Sequence, residues 1–195
     1  MDERPLSRTA SYAVLHEGYG SPGVAASVGL IRDGDVVVVT DPGMVRDRAL
    51  ILDPLRALGV APEDVTDVVF SHHHPDHTLN AALFPAARFH DHWAIYRGDQ
   101  WDERDAEGYE LTPAIRLIRT PGHTREDITT LAGTPDGVVA FTHAWNRATS
   151  TGDAVAVDLA ELSAARQRVL AVADIVVPGH GPAFVPDAST PRTAV

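Results

Sequence analysis

The apolar run Val65-Thr66-Asp67-Val68-Val69-Phe70 leads directly into Ser71-His72-His73-His74-Pro75-Asp76-His77. Four imidazoles and one carboxylate thus fall within six consecutive positions at the end of a strand-like segment. Packing alone does not require so many polar rings there. Histidine and aspartate are ligands suited to zinc, iron or manganese. In an extended segment alternate side chains share a face, so His72 and His74 can converge on one metal. Past Pro75 the chain turns, which leaves Asp76 and His77 to address a second metal beside the first. A histidine-rich polar loop without function is the bland alternative, and further ligand candidates at separated positions count against it.

Those candidates lie in two Pro-Gly-His turns. His123 sits in Thr120-Pro121-Gly122-His123-Thr124, after Ile115-Arg116-Leu117-Ile118. His180 sits in Val177-Pro178-Gly179-His180-Gly181-Pro182, after Ile175-Val176-Val177. Pro and Gly end a strand sharply and let backbone approach closely, so each histidine projects from a sheet rim into a loop-lined site.

With these residues in view, the chain resembles the metallo-β-lactamase-fold superfamily. That family's signature is His-x-His-x-Asp-His followed by later strand-end histidines. Here it matches His72, His74, Asp76 and His77, then His123, then His180. The resemblance runs from the Ala25–Gly43 region to Phe184. It includes an apolar hairpin turning at Asp33-Gly34 and the segment Val36-Val37-Val38-Val39-Thr40-Asp41-Pro42-Gly43, whose Asp41 matches a residue that supports the metal loop from below. The stretch from Arg168 to Pro182 looks closest to a small stand-alone branch, the metallo-β-lactamase domain-containing proteins. One animal member of that branch is described as an RNA nuclease.

The resemblance implies an αβ/βα four-layer sandwich, two mixed sheets with outer helices, as one domain over residues 1–195. The pattern along the chain agrees. Ser11–Leu15, Val24–Arg32 and Asp35–Thr40 read as early antiparallel strands. Arg46–Leu58 reads as a helix, with Ala49, Leu50, Leu52, Leu55 and Leu58 on helical spacing and Gly59 as its stop. Val65–Phe70 is a buried strand, Leu79–Leu83 a helical turn or two, and Arg88–His90 a brief strand. Ile115–Arg119, Ile128–Ala132, Val138–Thr142 and Asp174–Val177 read as strands of a second sheet. Asp158–Ala171 is the clearest late helix, with Asp158 as N-cap and Glu161 three residues on. Residues 186–195 read as a frayed tail.

The chain's 195 residues carry a net charge of −11, and 44% are hydrophobic. There is no cysteine, so thiolate metal sites and disulfides are excluded and every ligand must be His, Asp, Glu or backbone. No apolar run of about 18 residues suggests a membrane span. The start Met1-Asp2-Glu3-Arg4-Pro5 has no secretory apolar core, so a cytoplasmic location is the default expectation. All 16 basic residues are arginines, scattered rather than clustered. That distribution disfavours binding to a phosphate backbone. The expected partner is a small molecule, with no nucleic acid and no membrane, for a monomer or homodimer.

The resemblance assigns His72, His74 and His123 to a first metal and Asp76, His77 and His180 to a second, with zinc expected and manganese or iron as alternatives. A divalent cation lowers the pKa of bound water from about 15.7 towards 7. Asp76 is placed to orient the resulting hydroxide and pass its proton to a leaving group. The departure lies at the family's bridging carboxylate, normally a Gly-Asp after the strand that follows the third histidine. Here Val138-Val139-Ala140-Phe141 ends in Thr142-His143-Ala144-Trp145, and His143 takes the aspartate's place. A neutral imidazole has one free donor nitrogen and cannot bridge two metals. His143 is therefore expected to bind one metal, to act as acid or base in a one-metal site, or to mark a disabled one. Gly152-Asp153 is a less favoured source of the missing carboxylate, and a surface His143 is the bland reading.

Around the site, His73 reads as a structural hydrogen-bonding histidine. His90 and His92 flank Asp91 at the start of an expected helix, with N-cap and surface roles. His16 reads as a surface residue. Trp93, Tyr96, Trp101 and Tyr109 either shape the substrate pocket or pack as a connecting helix. Trp145 is the better pocket-wall candidate, and Arg147 a partner for a substrate carboxylate or phosphate. Thr124 and Asp127 read as supports for the His123 loop. The function expected is hydrolysis of an ester, thioester, lactone or similar bond by metal-activated water. The alternatives are a phosphodiesterase or RNA nuclease, a one-metal iron oxygenase-type relative, or a metal-binding protein with a degraded site.

Overall fold

Alternation of buried residues divides the apolar material of this chain into three layers. Ile31, Val38 and Val69 face one way, while Leu30, Val37, Val39, Val68 and Phe70 on the same strands face the other. A sheet buried on both faces needs cover on both, and two sheets with a helix outside each satisfy that. The structure, a computed structural model, has this four-layer αβ/βα arrangement and describes residues 4–195. Met1, Asp2 and Glu3, part of the start read as lacking a secretory core, lie outside the described residues. Among the described residues no helix is long and apolar enough to cross a membrane.

The first sheet holds β1 (Ser11–His16), β2 (Val28–Asp33), β3 (Val36–Thr40), β4 (Asp67–Val69), β5 (Arg88–His90), β6 (Ala94–Arg97) and β7 (Gln100–Glu103), in that order. The second holds β8 (Glu110–Thr112), β9 (Ile115–Arg119), β10 (Ile128–Thr134), β11 (Gly137–Phe141) and β12 (Ile175–Val177), in the order β12-β11-β10-β9-β8. Ile31, Val38 and Val69 meet Ile115, Leu117, Ile128, Val139 and Phe141 between the sheets. Helix α1 (Ala49–Ala57) covers the first sheet through Ile51 and Leu55, and α3 (Leu159–Leu170) covers the second through Leu162, Ala165 and Val169. Asp158 caps α3 as its sequence suggested, its Oδ1 accepting from the backbone N–H of Ala160 and Glu161.

Two parallel pairs position the site. Strands β3 and β4 run parallel with Thr40 opposite Val69, so their C-terminal ends emerge together. Strands β11 and β12 do the same, with Phe141 opposite Val177. The backbone N–H of Ile128 then bonds Ser71 O at 2.8 Å and joins the two rims. The one-turn helix α2 (Pro75–Thr78) begins inside the histidine cluster, where Pro75 suits a first helical position.

Three expectations need correction. The Trp93–Tyr109 segment is a hairpin rather than a helix. Asp91 Oδ1 accepts from the N–H of Trp93 and Ala94 and turns the chain back, and Gly98 supplies a left-handed φ of 62° in the two-residue turn between Arg97 and Gln100. His90 is no surface residue. It is fully buried at the end of β5, with Nε2 2.8 Å from Asp67 Oδ1. The segment expected to fray carries hydrogen bonds. Pro191 O accepts from Trp145 Nε1, Thr193 O from Arg166 Nη1, and Ala194 N donates to Ser163 Oγ.

Candidate metal centre

The 71–77 loop is held from beneath by Asp41. Its φ of 50° is left-handed, uncommon for a non-glycine residue, and aims its carboxylate at the loop. Asp41 Oδ1 accepts from the backbone N–H of Ser71 at 2.7 Å, and Oδ2 lies 3.0 Å from His77 Nδ1. The role that the resemblance gave Asp41 matches this geometry. Ser71 Oγ, 3.0 Å from His72 Nδ1 and 3.3 Å from His77 Nδ1, is a support that the sequence reading missed.

With their Nδ1 edges engaged, the His72 and His77 rings turn Nε2 inward. His72 Nε2 lies 3.0 Å from His74 Nδ1, and His123 Nε2 lies 3.1 Å from the same atom. His123 Nδ1 is held by Asp153 Oδ2 at 2.6 Å, so its Nε2 presents a lone pair. One proton cannot satisfy three converging nitrogens, whereas one cation can. Tetrahedral ligands about 2.0–2.1 Å from zinc stand about 3.3 Å apart, close to this spacing. Burial first, then the surrounding imidazoles His77, His123 and His74, push the His72 ring far towards neutrality. Burial and His123 likewise lower His74. Metal ligation requires these neutral forms.

A second group adjoins the first. His180 Nδ1 bonds Ala25 O at 2.9 Å, which leaves Nε2 facing inward, 3.5 Å from Asp76 Oδ2 and 3.1 Å from His143 Nε2. His77 Nε2 lies 3.5 Å from Asp76 Oδ2 and is buried without a hydrogen-bond partner. His143 sits between the groups. Its ring stacks on His123 with centroids 3.9 Å apart, and its Nδ1 is also buried without a partner. Burial and the rings of His72 and His77 hold it neutral. At 2% exposure, the surface reading of His143 is overturned. Orphaned buried nitrogens are uncommon in a finished site, and here they mark where a cation fits. The structure thus brings together all seven sequence-predicted residues: His72, His74, Asp76, His77, His123, His143 and His180.

The surrounding residues sort differently from expectation. Asp153, weighed as a substitute bridge, is engaged by His123. Burial works to raise its pKa, yet the His123 bond and charge hold it below the usual carboxylate range. Asp127 takes the expected supporting place, accepting from Thr124 N and Thr124 Oγ1 and lying 3.6 Å from His72 Nδ1. Its burial pushes it up to about 7. His73 bonds Asp91, as expected. Trp145 is no pocket wall: it is fully buried in the core under α3. Trp93, Tyr96 and Trp101 pack on one another on the hairpin. His16 is half-buried, with Nε2 shut away and unpartnered. Arg147 lines a cleft of about 430 Å³ with Gly20, Val24, Asp153, Val155 and His180, at the mouth of the centre.

Comparison with known proteins agrees with this geometry. The sequence profile of the metallo-beta-lactamase superfamily matches residues 21–186. Human metallo-beta-lactamase domain-containing protein 1 is 38% identical over 97% of this chain and 74% of its own length. A metallo-beta-lactamase family protein from Thermus thermophilus superposes with a TM-score of 0.65 at 17% identity, over 89% of this chain and 74% of that one. A quorum-quenching N-acyl homoserine lactone hydrolase superposes at 0.64 and 18%, over 90% and 93%. This chain belongs to the metallo-beta-lactamase superfamily.

Proposed function

We propose that this chain is a metal-dependent hydrolase of a small ester, thioester, lactone or similar bond. The observation that carries the reading is the convergence of His72 Nε2 and His123 Nε2 on His74 Nδ1, at 3.0 and 3.1 Å. Those three would hold one cation, and Asp76, His77 and His180 with the single available nitrogen of His143 a second. An all-nitrogen-and-oxygen donor set suits zinc, with manganese or iron as alternatives. When bound, the cation supplies Lewis acidity and makes a water acidic near neutral pH, from about 15.7 towards 7.

The chain's own groups do the rest. Asp76, the carboxylate within the second group, is partly exposed and places Oδ2 3.5 Å from His180 Nε2 and from His77 Nε2, so it would hold the proton released from water and deliver it to the leaving group. Neutral His143, buried between the groups, orients that exchange without adding charge. Arg147 and the apolar Val24 and Val155 line the entry cleft and select the substrate. The lactone hydrolase among the structural neighbours supports the reaction class. The net charge of −11 weighs against a nucleic-acid substrate.

The test is metal content by plasma mass spectrometry beside an ester, thioester and lactone screen. Wild type is expected to hold at least one equivalent and turn over one of these classes, and His74→Ala to lose both. An active His74→Ala protein with unchanged metal would overturn the reading.

A further inference from the structure

Loops from both sheets meet a second time outside the candidate centre. His73 belongs to the 71–77 loop, Asp91 and His92 follow β5, and Glu126 lies in the loop between β9 and β10. His73 Nε2 is 3.2 Å from Asp91 Oδ2, and His92 Nδ1 is 4.0 Å from Glu126 Oε2. One donor atom from each of His73, Asp91 and His92 lies within 4.8 Å of the other two. Asp91 is preset for this: it is buried, and its Oδ1 is fixed by the N–H groups of Trp93 and Ala94, which turns Oδ2 towards His73. His92 Nδ1 is shut off from solvent and has no hydrogen-bond partner. A buried polar atom left unpaired is destabilising, so a nitrogen placed beside these carboxylates lacks its natural partner.

We propose that His73, Asp91 and His92, with Glu126 closing the fourth position, form a peripheral site for a divalent transition metal, zinc foremost. Two imidazoles and two carboxylates are a borderline donor set of the kind zinc accepts in four-coordinate sites. Tetrahedral ligands around zinc stand about 3.3–3.6 Å apart, so the His73–Asp91 pair is already at that spacing, the His92–Glu126 pair closes by about half an ångström, and Glu126, which lies outside the 4.8 Å group, swings further to reach the other two. A bound ion would fasten the His72–His74 segment of the first sheet to the His123–Asp127 loop of the second from the outside. The site is independent of the hydrolase reading, because none of its ligands belongs to the central set.

Trp93 provides the readout. Its ring stacks on His92 with centroids 5.5 Å apart and 13° between planes. Cobalt(II) at this site therefore quenches tryptophan emission. Metal-depleted full chain would be titrated with cobalt(II), and zinc per chain measured by equilibrium dialysis at fixed free zinc. Wild type is expected to quench and to bind one equivalent more than His92→Phe, a variant that keeps the stacked ring. Both His92→Phe and His73→Gln should need at least tenfold more cobalt(II) for half-quenching. His74→Ala should lose central metal yet keep the quench. If both peripheral variants match wild type in metal count and titration curve, while melting as wild type does, the cluster is an ion pair only and the proposal fails.

Discussion

Asp153 Oδ2 and His123 Nδ1 stand 2.6 Å apart, across thirty positions of sequence. This contact fixes which nitrogen of His123 faces His74, and a carboxylate on the outer nitrogen makes the inner one a better donor. Asp153→Ala is therefore expected to weaken metal affinity about 10- to 100-fold. Competition with a chromophoric chelator measures it, and unchanged affinity would show that His123 is oriented by other contacts.

His143 contributes one nitrogen where the family carries a carboxylate. His143→Asp restores a group able to bridge, so the variant is expected to reach two metals per chain at a free zinc level where wild type holds fewer, because one imidazole nitrogen leaves the second ion weakly held. The same count in both proteins would remove His143 from the account of metal number.

Gly179 lies under the His143 ring. A methyl group added there would stand 2.4 Å from His143 Cδ2. The backbone cannot yield easily, because Gly179 N donates to Trp145 O and Gly179 O accepts from Ser27 N. Gly179→Ala is expected to cost about 1–3 kcal/mol by thermal or chemical denaturation. In a His143→Ala background the penalty should shrink to about 0.5 kcal/mol or less, the non-additivity expected of touching residues.

Arg166, fully buried under α3, donates from Nε to Ala144 O and from Nη1 to Thr151 O and Thr193 O. One cation thus joins the loop after His143, the loop before Asp153 and the C-terminal segment. Arg166→Met keeps the stem and strands three carbonyls, with an expected loss of about 3 kcal/mol or more in stability. Urea unfolding checks it, and a loss below about 0.5 kcal/mol would mean that water replaces the guanidinium.

Tyr96 bears on alkaline stability. Burial, aided by the Asp91 charge, pushes its phenol up to about 12 from 10.0. Between those values the folded chain keeps a proton that the unfolded chain releases, so stability falls as pH rises through that window and is unaffected below it. Denaturation midpoints measured from pH 9 upward should decline less in Tyr96→Phe than in wild type; parallel curves would contradict the shift.

The candidate ligands were legible because each marks itself locally: His72, His74, Asp76 and His77 by their crowding after an apolar run, His123 and His180 by their Pro-Gly turns, and His143 by its place just past the Val138–Phe141 run. The strands feeding them were legible for the same reason, and Ile115–Arg119 and Arg88–His90 stand where their patterns placed them. The hairpin of Ala94–Arg97 and Gln100–Glu103 was not, because every residue of Gln100–Glu103 is exposed and no alternation of apolar and polar residues announces a strand. Partnerships across sequence were also hidden. Nothing near His90 signals Asp67, and Asp153 was noticed for its Gly-Asp form but given another task. Trp145 lies two residues from His143, yet its indole points into the core under α3, since successive residues past a strand end turn to different sides.

The bonds of the C-terminal segment have a practical reading. Arg192 is exposed, while its neighbours Pro191 and Thr193 give their carbonyls to Trp145 and Arg166. A protease that cuts after arginine needs slack backbone, so this peptide bond should survive while the segment is seated and be cut once it lifts. Loss of the last three residues, read as a change in intact mass, would then report, without any substrate or metal, whether the loops around His143 and Asp153 are properly assembled.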